Sequence, residues 1–183
     1  MLLNKDAFSS GQISSKLWLC EELEKLYTSI DNVLILGGWY AITAFLLKSR
    51  NNIEIKKIVS LDIDPECEPV ADLINENWKW QDWQFKAYTQ DCNKKISDIK
   101  NYDIVINTST EHFENLKWFK QIPKGKTVVL QGADMIHDDH IFEFHTLEDF
   151  IKTFPLREIL YQGSKNFRYP DWGFNRFMLI GVK

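Results

Sequence analysis

The chain has no CxxC pair, no GxGxxG fingerprint, no concentrated basic stretch and no apolar run near the roughly 18 residues a membrane span needs. Each absence excludes a class. The three cysteines, Cys20, Cys67 and Cys92, are odd in number and widely spaced. They argue against a disulfide framework or a zinc ribbon and predict a reducing, cytoplasmic setting. The opening MLLNKDAFSSGQ carries no basic region leading into an apolar core, so no secretory signal is expected. Net charge is −4, and lysine and arginine are scattered apart from the pairs Lys56 and Lys57, and Lys94 and Lys95. A binder of duplex nucleic acid depends on phosphate neutralisation, so that partner is not expected, nor is a membrane. A small-molecule or protein partner fits better, and oligomeric state is not legible here.

What is present is apolar and aromatic: 44% hydrophobic and 14% aromatic residues over 183 positions, enough for the core of one domain spanning 1–183. Its centre is Asp31 to Lys48, DNVLILGGWYAITAFLLK. Val33 to Leu36 reads as a short buried strand, Gly37 and Gly38 as a turn, and the segment with Ala41, Ala44, Phe45 and Leu47 as a helix. A glycine-bounded apolar run followed by a helix is the first half of a βαβ unit. Backbone amides at such a helix start face whatever lies above the strand end.

Ahead of it, Leu17, Cys20, Leu23, Leu26 and Tyr27 space out an amphipathic helix over Ile13 to Ile30, with Ser14 or Ser15 as its cap; residues 1–30 thus pack on the core. Behind it come a second strand, Lys57 to Ile63, and a helix from Pro65 to about Trp78. Asp64 is the expected cap of that helix, with Val70, Ala71, Leu73 and Ile74 inward. Trp78, Trp80 and Trp83 read as packing. Further strands are Trp83 to Tyr88, Tyr102 to Asn107 and Lys126 to Gln131, with helices over Asn93 to Ile99, Glu114 to Lys120 and from Thr146 to Pro155. Leu156 to Tyr161 and Phe174 to Val182 are two β-type runs whose twelve-residue connection is too short for a crossover helix, so the last strand must be reversed. The expectation is an α/β, Rossmann-like, doubly wound and mostly parallel seven-stranded sheet with a reversed C-terminal strand.

That element order resembles the class I S-adenosylmethionine-dependent methyltransferases. Where the family reads VLDLGCGTG, this chain reads VLILGGWYA: Gly37 matches the first glycine, Trp39 and Ala41 stand at the second and third, and Ile35 replaces an acidic residue. SLDIDP resembles the end of the family's second strand. The resemblance implies S-adenosylmethionine as cofactor, with Asp62 on the ribose hydroxyls and Ile63 on the adenine face. It places Asp91 and the Cys92 backbone at the adenine amino group, Asn107 and Thr108 beneath the methionine moiety, and the turn Gly37, Gly38, Trp39 and Tyr40 along the pocket. A carboxylate offers two acceptor oxygens to a cis-diol, which is why that residue type suits the position. NAD-type folds share the first half of the pattern but require GxGxxG.

Chemistry is expected at the carboxyl ends of the strands, from four segments: Gly37 to Tyr40, Thr108 to Phe113, Gly132 to His145, and Gly163 to Gly173. Glu111 and His112 are the catalytic candidates, since either can take a proton from a nucleophile. Equally, Glu111 can pin the loop and His112 can fill a polar edge. His137, Asp138, Asp139, His140 and His145 gather imidazoles and carboxylates, but their spacing matches no defined site and no metal is predicted. Tyr169, Asp171 and Trp172 read as a lid or as an edge plug, and Gln12 or Lys16 can reach the methionine end. The reading is a methyltransferase acting on a small-molecule or protein acceptor, built without an added domain. Its alternative is a non-catalytic binding or scaffold subunit, prompted by the altered glycine turn.

Overall fold

A computed structural model describes residues 3–79, 83–135 and 140–183. Helix α1 (Ser10–Leu26) precedes strand β1 (Ser29–Leu36). Then follow α2 (Ile42–Arg50), β2 (Glu54–Asp62), α3 (Cys67–Ile74), the short α4 (Glu76–Lys79) and β3 (Phe85–Thr89). The remainder is β4 (Ile104–Asn107), α5 (Lys117–Gln121), β5 (Thr127–Ala133), α6 (Leu147–Thr153), β6 (Glu158–Arg168) and β7 (Gly173–Val182).

The strands form one seven-stranded sheet in the order β3-β2-β1-β4-β5-β7-β6. β1 pairs parallel with β2 and β4, while β7 runs antiparallel to both β5 and β6. The continuous apolar runs of β1 and β4 are explained by burial on both faces. One face packs Val33, Ile35, Ile104 and Ile106 against α1 and α2, and the other packs Leu34, Leu36, Val105 and Val128 against an aromatic layer of Trp118, Phe150 and Phe154. Parallel strands covered by helices on both sides lose the alternation that a half-exposed sheet shows.

Several boundaries differ from the sequence expectation, each for a local reason. Helix α1 starts earlier: Ser9 is its cap, its hydroxyl accepting from the Gln12 amide, whereas the Ser15 hydroxyl donates within the helix to the Gln12 carbonyl. Helix α3 stops at Ile74 because the buried Asn75 turns its side-chain amide back to the Ala71 carbonyl, and Leu73 is left 66% exposed. Asp64 acts one turn before α3, its carboxylate accepting from the Glu66 amide. Between Asn93 and Ile99 there is no α-helix, only turns leading into a 3₁₀ turn at Ile99–Asn101.

The largest difference is at the C-terminal pair. β6 continues to Arg168, and only 169–172 connect it to β7, closed by the Tyr169 amide on the Trp172 carbonyl at 2.8 Å. Polar Ser164, Lys165 and Asn166 hid this strand, since an edge strand needs only backbone pairing and tolerates solvated side chains. Trp83, assigned to packing, sits in a turn at φ 56° and is 61% exposed; Trp78 does pack, edge-on to Phe45. Trp80 lies outside the described residues.

Candidate functional site

A cavity of about 780 Å³ opens above the carboxyl ends of β1, β2 and β4. Its floor is the turn after β1. The backbone there takes the left-handed conformation three times in five residues: Gly37 at φ 61°, Trp39 at 51° and Ala41 at 52°. For a residue with a Cβ this costs roughly 1–2 kcal/mol. Trp39 and Ala41 thus adopt the backbone that glycine would take freely, and the turn survives the exchange of its residues. The two glycines that remain are at the tightest points. A Cβ on Gly38 would lie 1.9 Å from the Ser60 hydroxyl, and one on Gly37 would lie 2.9 Å from the Phe113 ring.

Asp62, the last residue of β2, holds this turn in place. One carboxylate oxygen accepts from the Trp39 amide at 2.7 Å and the other from the Asp64 amide at 3.1 Å. Burial raises its carboxyl above the usual value, and these backbone donors work against that rise. Each oxygen keeps a second acceptor site for a ligand. Ile63, 66% exposed, borders the cavity beside it. The Trp39 ring is half-buried and tilts against Tyr40 at 5.2 Å, while the buried Tyr40 hydroxyl accepts from the Asn4 amide.

The side wall comes from the β3 and β4 ends. Asp91, Cys92 and Thr108 all line the cavity. The Asp91 carboxylate accepts from the Asn93 amide and pairs with Lys94. Burial pushes the Cys92 and Cys67 thiols up to about 12, so both stay neutral. Asn107 is wholly buried behind this wall, its side-chain oxygen taken by the Ser109 amide.

The far wall is built from three separate stretches. Gln12 and Lys16 approach from α1, His112 from the 3₁₀ turn Thr110–His112, and Met135, His140 and Ile141 from the segment after β5. His112 and His140 stand edge to face, their ring centres 4.8 Å apart. Glu111 is not a lining residue, although its carboxylate lies next to the His112 and His140 rings that are. It is buried against Arg176 of β7, carboxylate to guanidinium at 3.1 Å, with both side chains under a tenth exposed. The Glu111 carbonyl also accepts the Ile141 and Phe142 amides, tying the segment after β5 to the 3₁₀ turn. Burial and the nearby Arg176 charge lower the Lys16 pKa to about 7.

Among the four expected segments, the one from Gly163 to Gly173 contributes no lining residue. Tyr169 and Trp172 instead stack on each other at 4.4 Å, and Trp172 on Phe174. His137, Asp138 and Asp139 lie outside the described residues, and His145 is exposed beside Glu143. Among the contributions not expected from sequence, Asn4 and Asp6, ahead of α1, line the cavity, and Arg176 balances Glu111. A lone arginine between Phe174 and Phe177 in a strand of apolar residues was the available signal for the second.

A sheet ordered 3-2-1-4-5-7-6 with only its seventh strand reversed is the class I methyltransferase fold. Solved structures bear this out. The N-methyltransferase NodS from Bradyrhizobium japonicum, in complex with S-adenosyl-L-homocysteine, superposes with a TM-score of 0.69 at 11% identity, over 94% of this chain and 88% of that one. The magnesium protoporphyrin IX methyltransferase from Synechocystis, with bound S-adenosylmethionine, gives 0.60 at 14% identity, over 92% and 76%. The YcgJ protein from Bacillus subtilis gives 0.67 at 11% identity, over 91% and 98%. At such identities the likeness is one of fold. No protein-family model matches the chain, and no curated protein matches it by sequence.

Proposed function

We propose that this protein binds S-adenosylmethionine and transfers its methyl group to a small-molecule or protein acceptor. The observation carrying the reading is Asp62: a carboxylate at the second strand end, fixed by the Trp39 and Asp64 amides, at the edge of a cavity large enough for the cofactor. In this reading the ribose hydroxyls donate to Asp62, the adenine lies between Ile63 and the Asp91–Cys92 turn, and Thr108 and the Gly37–Tyr40 turn border the methionine end. The left-handed backbone at Trp39 and Ala41 supports it, because the altered sequence keeps the shape a glycine turn would give.

During transfer the methyl carbon's bond to sulfur breaks as its bond to the nucleophile forms, and any proton on the nucleophile must leave. Alignment supplies most of the rate. His112 and His140, on the far wall, are the groups that meet the acceptor. Glu111 acts through position, holding the His140 segment by its backbone. Calorimetry with S-adenosylhomocysteine on wild type and Asp62→Ala tests the reading. Micromolar binding that weakens on the order of 100-fold in the variant is expected, since hydrogen bonds to a charged acceptor are worth about 1.5–3 kcal/mol each. No binding by wild type at millimolar ligand would favour the scaffold alternative.

A further inference from the structure

The far wall holds a group of side chains that cofactor binding does not use. One ligand atom from each of Glu111, His112 and His140 lies within 4.8 Å of the other two. The three come from two segments, the 3₁₀ turn after β4 and the stretch after β5, joined by the Ile141 and Phe142 amides on the Glu111 carbonyl. We propose that Glu111, His112 and His140 form a binding site for one divalent first-row transition ion on the acceptor wall of the cavity.

Three observations carry this. First, the His140 Nδ1 lies 2.7 Å from the Met135 carbonyl. A carbonyl only accepts, so Nδ1 carries a proton, and in the neutral form of the ring the lone pair is on Nε2. Metal-ligating histidines are commonly oriented in this way. Second, Arg176 holds Glu111 Oε1, while Oε2 takes only a long contact from the Thr110 hydroxyl at 3.5 Å and, having a second lone pair, can still bind an ion. Third, the three residues are graded in burial, which opens the group toward the cavity: Glu111 is buried, His140 half-buried and His112 exposed. Bonds of about 2.0–2.2 Å bring neighbouring ligand atoms to roughly 3.3 Å of each other. Ion binding would therefore draw the three groups together from 4.8 Å.

Two imidazoles and one carboxylate select zinc, cobalt, iron or manganese over magnesium and calcium, which prefer all-oxygen shells. His112 and His140 line the cavity, so the remaining coordination positions face it. The site stands on this geometry alone, whereas its use rests on the methyltransferase reading. There it would take the oxygen of an acceptor hydroxyl, lower its pKa and let its proton leave to solvent. The bound oxygen then attacks the methyl carbon and the sulfur keeps the C–S electron pair. His112 is in that case a ligand and not a base.

Cobalt(II) titration of the chelator-stripped full chain at pH 7.5, followed by visible absorption and calorimetry, tests the site. One equivalent bound at micromolar affinity is expected, weakened on the order of 100-fold by His112→Ala and by His140→Ala. Both residues are accessible enough that these variants keep the fold, which circular dichroism checks. Asp62→Ala should leave cobalt binding unchanged while S-adenosylhomocysteine binding falls. Cobalt binding without S-adenosylhomocysteine binding by wild type would overturn the methyltransferase reading and keep the site. Binding that is only millimolar, or unchanged in both histidine variants, would overturn the site.

Discussion

The two ends of the cavity are built by different means. At the Asp62 end the geometry is made by backbone: three left-handed residues, two amides and one carboxylate, all between Gly37 and Asp64. At the His112 end it is made by side chains from α1, the turn after β4, the segment after β5 and β7. A backbone-made site tolerates changes of residue, as Trp39 and Ala41 show, because the φ values persist. A side-chain-made site has no such latitude, since each group depends on a partner far away in sequence. Substitutions at the two ends should therefore differ in what they cost.

The largest effect on stability is expected from Glu111→Ala, which leaves the Arg176 charge buried and unpaired. Breaking a buried pair costs about 3–5 kcal/mol, to be read as a fall in urea midpoint. The double variant Glu111→Ala with Arg176→Met should recover much of it, and no recovery would mean that the pair is not the source. Lys16 comes next. Its folded pKa, about 7, lies below the unfolded value near 10.5, so the unfolded chain binds the extra proton between those pH values. Wild-type stability should gain a contribution as pH rises from 7 to 10 that is lacking below 7, and Lys16→Met should remove that slope in paired denaturation curves.

At the backbone-made end, Gly38→Ala sets a methyl against the Ser60 hydroxyl and should cost about 1–3 kcal/mol, partly restored by adding Ser60→Ala. The smallest effect belongs to Trp39→Gly. Released left-handed strain and the lost packing of the ring nearly offset each other, within about 1 kcal/mol. Affinity for S-adenosylhomocysteine should change less than about threefold, because the turn already holds the cofactor shape. A gain above tenfold would show that the tryptophan side chain, and not the backbone, limits the site.

The same contrast explains what could be read in advance. The Gly37 turn was legible as a glycine-bounded apolar run, while Asp62 and the Asp91–Cys92 turn were picked out by resemblance of short motifs, and all three line the same cavity. The parallel character of the sheet followed from helices alternating with strands, and the reversed last strand from its short connection. Hidden were relations across distance. Glu111 looks like a candidate base in TSTEHF, and only the fold sets Arg176 against it. His112 and His140 are separated by a strand, and no spacing rule brings two such residues face to face. The length of β6 is hidden for a chemical reason: its inner neighbour β7 supplies the apolar face, so β6 carries little of the pattern by which strands are recognised.

The reversal of β7 bears on the timing of assembly. Because this strand runs against its neighbours, its beginning, with Asn175 and Arg176, reaches the rim where the other strands end. β6 cannot complete the sheet alone, since β7 lies between it and β5. During synthesis from the N-terminus, the turn after β1 and its Asp62 clasp can form early, whereas Glu111 waits for a partner 65 residues behind it. Half of this cavity is therefore shaped only when the last strand slides into the gap between two others. A chain released a few residues short of Arg176 would lack the charge that fixes the opposite wall, together with Phe177, Met178, Leu179 and Ile180 of the core.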